Sequence, residues 1–231
     1  MKLITIHQPN YLPWSGFFHK WMISDAFIIL DTVQYHKNEW QNRNRIKTAQ
    51  GAQWLTVPVT YRFPQTIQEV GIASKPWTRK QIAAIEQNYA KAPYLDQYWP
   101  ELKAIFEQPW ENLCALNVAM IRTLGKMLAC EAPLLLASEM GDISDDPTLR
   151  LIELCKVLHG TAYLSGSEGR NYLQPSTFQD ANIELYFQQV EAPVYPQLHG
   201  DFISHLSVLD VLFHCGDTAI DIIRNMGDKT P

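Results

Sequence analysis

What most constrains this chain is the order of events in its first fifty residues: an apolar strand, a polar block, a helix, a second apolar strand and a second polar block. Lys2 to Ile6 reads as a strand, and His7-Gln8-Pro9-Asn10-Tyr11-Leu12-Pro13-Trp14 follows at once, running into Ser15-Gly16-Phe17-Phe18. Ala26 to Leu30 is a second apolar run that ends in Asp31, and a block rich in amides, cations and aromatics extends from Gln34 to Lys47. Open α/β sheets have this rhythm, and they place ligands beyond the carboxyl ends of their strands. The two polar blocks are therefore expected to be two walls of one pocket.

The rest of the chain is read against that start. Trp54 to Val59 and Ile67 to Ile72 cluster as strands separated by the turn-like Arg62-Phe63-Pro64-Gln65, which predicts a β-hairpin. From Trp77 to about Leu128 the apolar spacing is helical: Ile82, Ile85 and Tyr89, then Leu102, Ile105 and Phe106, then Leu113 to Leu128. Pro93, Pro100 and Pro109 punctuate three helices near helix starts, and Asn112 is placed to cap the third. Leu134 to Leu136 reads as a strand, and Ser144-Asp145-Asp146-Pro147 as a helix start, with Gly160 as that helix's stop. Thr161 to Leu164 and Ile183 to Phe187 read as strands, and Phe202 to Phe213 and Ala219 to Ile223 as a last helical region. The expected fold is α/β: a mostly parallel sheet with helices on both faces, interrupted by a β-hairpin and a helical insertion at roughly residues 76–130. Residues 1–231 are expected to form a single domain, a size that buries a large core without staples.

Composition enters by exclusion. The net charge is −5 and no run is rich in Lys or Arg, which argues against nucleic-acid binding, where phosphate neutralisation supplies the affinity. No apolar stretch reaches the ~20 residues of a membrane helix. The first residues lack the charged and apolar regions of a signal peptide, so a cytoplasmic location is expected. Cys114, Cys130, Cys155 and Cys215 are far apart, make no C-x-x-C pair and read as core residues. No metal site is expected, and the residues name no cofactor.

Single residues can then be weighed for chemistry. His7 follows directly on the first strand, where an imidazole can move a proton or bind a phosphate oxygen; its plainer role is a hydrogen bond to a neighbouring carbonyl. Asp31 ends the second strand, where it could hold a ribose hydroxyl, orient an arginine or simply cap the next turn. These two are the candidate catalytic groups. Arg43, Arg45 and Lys47 alternate, so an extended segment would project them from one face, and guanidinium forks match phosphate or carboxylate oxygens. Gln8, Tyr11, Trp40 and Asn44 are candidates to orient a substrate, with Tyr11 and Trp40 able to stack on a base or sugar. Ser165, Gly166 and Arg170 lie in a loop after a strand, a shape that cradles anions. Ser165 lacks a Gly-x-Ser-x-Gly setting and is not read as a nucleophile. His19 sits on the first helix and reads as structural or exposed, whereas His36 and Lys37 fall in a loop that could touch substrate. His199, Asp201 and His205 lack regular metal-ligand spacing. Ser207 and Asp210 read as caps that orient the last helix.

These residues carry a resemblance. The chain resembles the WbqC-like family, bacterial proteins often encoded among O-antigen and surface-polysaccharide genes. The resemblance rests on His7-Gln8-Pro9-x-Tyr11-Leu12-Pro13-Trp14-x-Gly16-Phe17-Phe18 and on Trp40-x-Asn42-Arg43-Asn44-Arg45-Ile46-Lys47. It continues through Tyr163-Leu164-Ser165-Gly166, Pro193-x-Tyr195-x-Gln197 and Leu206-Ser207-x-Leu209-Asp210, spanning nearly the whole chain. A fold-level resemblance is to nucleotidyltransferase-type α/β proteins, pantothenate synthetase among them, whose His-x-Gly-His turn at the first helix holds nucleotide phosphates. The corresponding stretch here, Trp14-Ser15-Gly16-Phe17, lacks both histidines. The family resemblance implies an enzyme of surface-polysaccharide biosynthesis acting on a sugar nucleotide or aminosugar, by amide formation or acyl transfer. Its partner would be an anionic small molecule, a sugar nucleotide or acyl donor. The alternative is a non-catalytic module that binds a glycosyl donor or a pathway partner.

Overall fold

Apolar runs long enough for a strand but too short for a helix build the centre of the molecule. The computed structural model describes residues 1–74 and 76–231. Along the chain, β1 (Leu3–His7), α1 (Ser15–Met22) and β2 (Ala26–Ile29) lead to the strands β3 (Arg43–Thr48), β4 (Gly51–Thr56), β5 (Val59–Thr60) and β6 (Gly71–Ile72). Three helices follow, α2 (Thr78–Tyr89), α3 (Leu95–Phe106) and α4 (Leu113–Met127). Then come β7 (Leu134–Leu136), α5 (Pro147–Val157), β8 (Ala162–Ser165), α6 (Pro175–Asp180), β9 (Glu184–Val190), α7 (Leu209–Cys215), α8 (Thr218–Arg224) and β10 (Gly227–Thr230).

The central sheet has the order β10-β9-β8-β1-β2-β7, and every neighbouring pair is parallel except β9 with β10. Counted in chain order within the sheet, this is the 3-2-1-4-5-6 order of a doubly wound fold with its last strand reversed. Successive strands spread one way from β1 through β2 and β7. The chain then returns to the other side of β1 with β8, so the order reverses between β1 and β8. Ile4, Ile6, Ala26 and Ile28 pack on one face with Leu151, Leu154 and Cys155 of α5 and Phe178 of α6. Phe27 and Ile29 pack on the other with Phe17, Phe18 and Trp21 of α1 and with apolar residues of α4 and α7. Each fully buried side chain of this kind contributes about 1.5–3 kcal/mol of transfer free energy. Helices therefore cover both faces, as the sequence predicts. Among the described residues, no helix is long and apolar enough to cross a membrane.

Local signals set several boundaries. The Asn112 side chain accepts from the Ala115 amide at 2.9 Å and starts α4, and Asp146 accepts from the Thr148 and Leu149 amides at 2.9 and 2.8 Å and starts α5. Pro100, in contrast, lies inside α3 rather than at its start. The left-handed residue after α5 is His159, with φ 53°, and not Gly160. Gly160 is glycine for space, since a β-carbon there would fall 2.4 Å from Cγ1 of Ile4.

The hairpin differs from expectation. Arg43 to Thr48 is itself a strand, paired antiparallel with Gly51 to Thr56 so that Arg45 faces Trp54 and Ile46 faces Gln53. The turn passes through Gly51 at φ 104°, a conformation that favours glycine. The predicted partner strand contributes only Gly71 and Ile72, paired with Val59 and Thr60. This arrangement buries Ile46 and Leu55 together in the core, which the expected pairing of Trp54 to Val59 with Ile67 to Ile72 would not. Phe202 to Val208 is also not helical. It lies beside β3, with the Ser207 amide donating to the Arg45 carbonyl at 2.9 Å and Ser207 bridging to Trp14. β10, four residues without an apolar side chain, is not predicted by the sequence pattern.

Candidate functional site

His7 ends β1 at the point where the strand order reverses. Its Nδ1 donates to the carbonyl of Gln8 at 2.9 Å in the neutral tautomer, and Phe17 of α1 stands edge-on to the ring at a centroid distance of 4.8 Å. Burial pushes the imidazole down to about 3, with the nearby Lys20 ammonium adding to the shift against the raising effect of the Gln8 carbonyl. The ring is thus neutral over the physiological range and leaves Nε2 as an acceptor. The β1–β8 register pairs Thr5 with Leu164, so two residues further on His7 stands level with Gly166 on the neighbouring strand end. Ser165 is buried there, its hydroxyl packed against Gly169. Lys20 escaped the sequence reading. In the structure every residue from Ser15 to Trp21 is buried, Lys20 among them, although Ser15, His19 and Lys20 give the segment polar positions in the sequence.

The second polar block reaches the first through amide clamps. Gln41 donates from Nε2 to Oε1 of Gln8 at 2.6 Å. Asn117 of α4, fully buried, donates both amide hydrogens, to the Pro9 carbonyl at 2.8 Å and to the Gln41 carbonyl at 2.7 Å. The Tyr11 amide donates to the Trp40 carbonyl at 2.8 Å. The two loops are therefore fixed to each other. On the hairpin, the Arg43 guanidinium lies 4.2 Å from the centre of the Trp54 ring, and that of Arg45 lies 5.5 Å from Trp54 and 6.0 Å from Trp40. The two tryptophans are 41% and 42% exposed and stand 5.5 Å apart, so this cationic, aromatic platform opens to solvent. Neither arginine forms an ion pair among the described residues. Arg45 donates from Nη2 to the His205 carbonyl at 3.3 Å.

One pattern marks this region. Among the described residues, the buried side-chain atoms without a hydrogen-bond partner are Tyr35 Oη, Gln41 Oε1, Asn42 Oδ1, Arg43 Nε, Arg45 Nε and Asn117 Oδ1. Five of the six belong to residues 35–45, and the sixth belongs to the side chain that clamps that segment. Arg43 is close enough to Tyr35 to offset, in part, the rise that burial causes in its hydroxyl.

The other candidates are engaged elsewhere. The Asp31 carboxylate accepts from the Ser138 amide at 3.0 Å and the Ser138 hydroxyl at 2.6 Å, capping the turn after β7. Tyr11 is buried and donates to Oε1 of Gln81 at 2.5 Å. The Asn44 side chain donates to the Leu12 carbonyl at 2.6 Å and holds that residue at φ 43°. Lys47 shares the face of Arg43 and Arg45, but its ammonium donates to the carbonyls of Gly200 and Asp201 at 3.2 and 2.5 Å. Arg170 turns away from Gly166 to the last strand, donating to Thr230 Oγ1 at 2.5 Å and lying 4.3 Å from the centre of the Phe187 ring. His19 is buried between the Gly227 carbonyl and Nε2 of Gln188. His36 and Lys37 are exposed. Asp210 is a buried hub: it accepts from Tyr89 Oη at 2.7 Å, Tyr195 Oη at 3.0 Å and Gln197 Nε2 at 2.8 Å, which pins the tail over the hairpin. Among the described residues, no three His, Cys, Asp or Glu side chains gather as a metal site would require.

Comparison with known proteins places this geometry in a family. The model of the WbqC-like protein family matches residues 8–222. The "Uncharacterized protein Rv1507c" of Mycobacterium tuberculosis is 37% identical over 228 residues, covering 97% of this chain and 98% of that protein. No solved structure matches. A match that takes in the first polar block from Gln8 on, the second polar block, the Gly166 turn and the Asp210 hub shows that the chain belongs to the WbqC-like protein family.

Proposed function

We propose that the chain is a group-transfer enzyme of surface-polysaccharide biosynthesis whose substrate is an anionic small molecule of the sugar-nucleotide or acyl-donor class. The observation that supports this reading most is the clustering of unpartnered buried polar atoms in residues 35–45 and Asn117, around two arginines that have no carboxylate partner. Buried polar atoms are ordinarily satisfied, and each exception calls for a ligand, water or strain to explain it. Arg43 and Arg45 would hold the phosphate or carboxylate, with the Tyr35 hydroxyl as a further donor. Their stacking on Trp54 and Trp40 presets the guanidinium planes, so less freedom is lost on binding. The open edge of the same two rings suits a base or sugar face. His7 would act at the switch point through Nε2, accepting a proton from an attacking hydroxyl or amine. The reading makes no use of Asp31, Tyr11, Asn44, Lys47 or Arg170 as substrate contacts.

A second reading is a binding module for a glycosyl donor, and one observation favours it: an imidazole pushed down to about 3 is a weak base. The two separate in a mass-spectrometric screen of pooled sugar nucleotides and acyl donors with wild-type and His7→Gln protein, run beside a binding assay. As an enzyme, the wild type forms product and His7→Gln binds the donor with turnover reduced ~10²- to 10⁴-fold. Tight binding with no conversion in any donor–acceptor pairing would establish the module instead.

A further inference from the structure

α1 carries a cation that the roles above leave out. Lys20 is only 3% exposed, and among the described residues no hydrogen-bond acceptor or carboxylate engages its ammonium. The acids near α1 are occupied or turned elsewhere: Asp25 accepts from the Leu3 amide at 2.6 Å, and Asp228 acts on His19 and accepts from the Lys229 amide at 2.8 Å. Burying an ammonium without a counter-charge is unfavourable, and here burial pushes the amine down to about 7. A chain that only needed to fill this part of the core would be more stable with an apolar side chain.

What faces the ammonium is the turn after β8. A β-carbon built on Gly166 would meet one heavy atom within 4 Å, Nζ of Lys20 at 3.8 Å. The space in front of the amine is thus open where glycine leaves it open. Gly166 has φ −67° and ψ 164°, a conformation any residue adopts, so backbone geometry does not demand glycine there. Extending the β1–β8 register, which pairs Thr5 with Leu164, brings His7 level with Gly166 just beyond the end of β8, and its imidazole feels the Lys20 charge. This is the point at which the strand order reverses, and doubly wound sheets receive ligands at such points.

We infer that Lys20 and the Gly166 turn form an anion subsite, separate from the Arg43–Arg45 platform, that takes a phosphate or carboxylate group and holds it beside His7. An ammonium offers three donors and a compact charge, and a glycine turn lets the oxygen atoms approach backbone amides. The ligand then carries an anionic group beside His7 in addition to whatever the arginines hold. Occupation needs no turnover, so the subsite stands apart from the question of catalysis.

The test is calorimetric titration of inorganic phosphate, pyrophosphate and acetate into the wild-type, Lys20→Met, Gly166→Ala and Arg43→Ala proteins, with the melting temperature of each. Wild type binds an anion at this subsite. Lys20→Met loses that affinity at least tenfold while melting at or above the wild-type temperature, because an unpaired buried charge has gone. Gly166→Ala keeps Lys20 and the fold but fills the space before Nζ, and it loses the same affinity. Arg43→Ala retains it. A preference for phosphate or pyrophosphate identifies a phosphoryl group, and a preference for acetate a carboxylate. If the wild type binds none of the three anions, or if Gly166→Ala binds them as wild type does, the subsite does not exist. Should Lys20→Met melt well below wild type, Lys20 has a structural role, and retained binding by Gly166→Ala would then overturn the proposal.

Discussion

Two buried polar regions of this protein use the same kinds of side chain and reach opposite outcomes. Around Asp210, a carboxylate collects hydrogen bonds from two tyrosines and a glutamine, while His214 donates from Nδ1 to the Asp210 carbonyl at 2.7 Å and accepts the Leu198 amide on Nε2 at 3.0 Å. Around the two N-terminal loops, Arg43, Arg45, Gln41, Asn42 and Tyr35 keep buried polar atoms without partners among the described residues. The first region is closed and holds the tail in place. The second leaves buried polar atoms unmatched beside the exposed rings of Trp40 and Trp54. Residue type alone therefore does not mark a site here; what marks it is how many hydrogen bonds the fold leaves unmade.

The sharpest way to break this contrast is Asp210→Ala. It leaves two buried hydroxyls and an amide without their acceptor, and a loss of about 3–5 kcal/mol is expected, read from chemical denaturation. A change under about 1 kcal/mol would mean that the hub is not the closed region described. Arg43→Ala comes next, with a weakening of anionic-ligand binding by about one to two decades, equivalent to ~1.5–3 kcal/mol, and little change in melting temperature. If it unfolds the protein instead, the platform belongs with the hub. Lys47→Met, which frees the Gly200 and Asp201 carbonyls, is expected to cost about 1–3 kcal/mol of stability and to leave small-anion affinity at Arg43 nearly intact.

The last effect is on pH dependence and is read as a slope. Lys20 titrates near 7 in the folded chain and at its ordinary 10.5 when unfolded. Between those values the unfolded chain holds a proton that the folded chain has released, so stability rises as pH rises from about 7 towards 10.5 and is lost again on the way down. The slope is at most about 1.4 kcal/mol per pH unit, and Lys20→Met should abolish it. His7 acts in a lower window with the same sign: its stabilising contribution is present above 6.5 and is lost as pH falls towards about 3. Denaturation curves of wild type, Lys20→Met and His7→Gln across both windows separate the two.

How much of this the sequence shows follows from the range of each interaction. Caps such as Asn112 and Asp146 act over three residues and are readable directly. The parallel sheet is readable because each strand is a short apolar run between polar loops. The alternation of Arg43, Arg45 and Lys47 is visible, but which of them stays free is not, because the carbonyls that occupy Lys47 come from residues more than 150 positions away. The Asp210 hub is hidden for the same reason, since Tyr89 and Asp210 are 121 residues apart. β10 is hidden because Gly227-Asp228-Lys229-Thr230 has no strand pattern and forms by adding to an existing edge. The burial of Lys20 is hidden too, because it follows from what packs around α1 and not from the polar positions Ser15, His19 and Lys20 in its sequence.

Asn117 gives the helical segment a mechanical meaning. One carboxamide on α4 grips the carbonyl of Pro9 and the carbonyl of Gln41, so the distance between the two loops is set by a strut rooted in a different part of the chain. A molecule that spreads or draws together the loops must load that strut. Its arrival should therefore be felt as slower or faster amide exchange along Leu113 to Met127, a helix that contributes no side chain to the arginine platform.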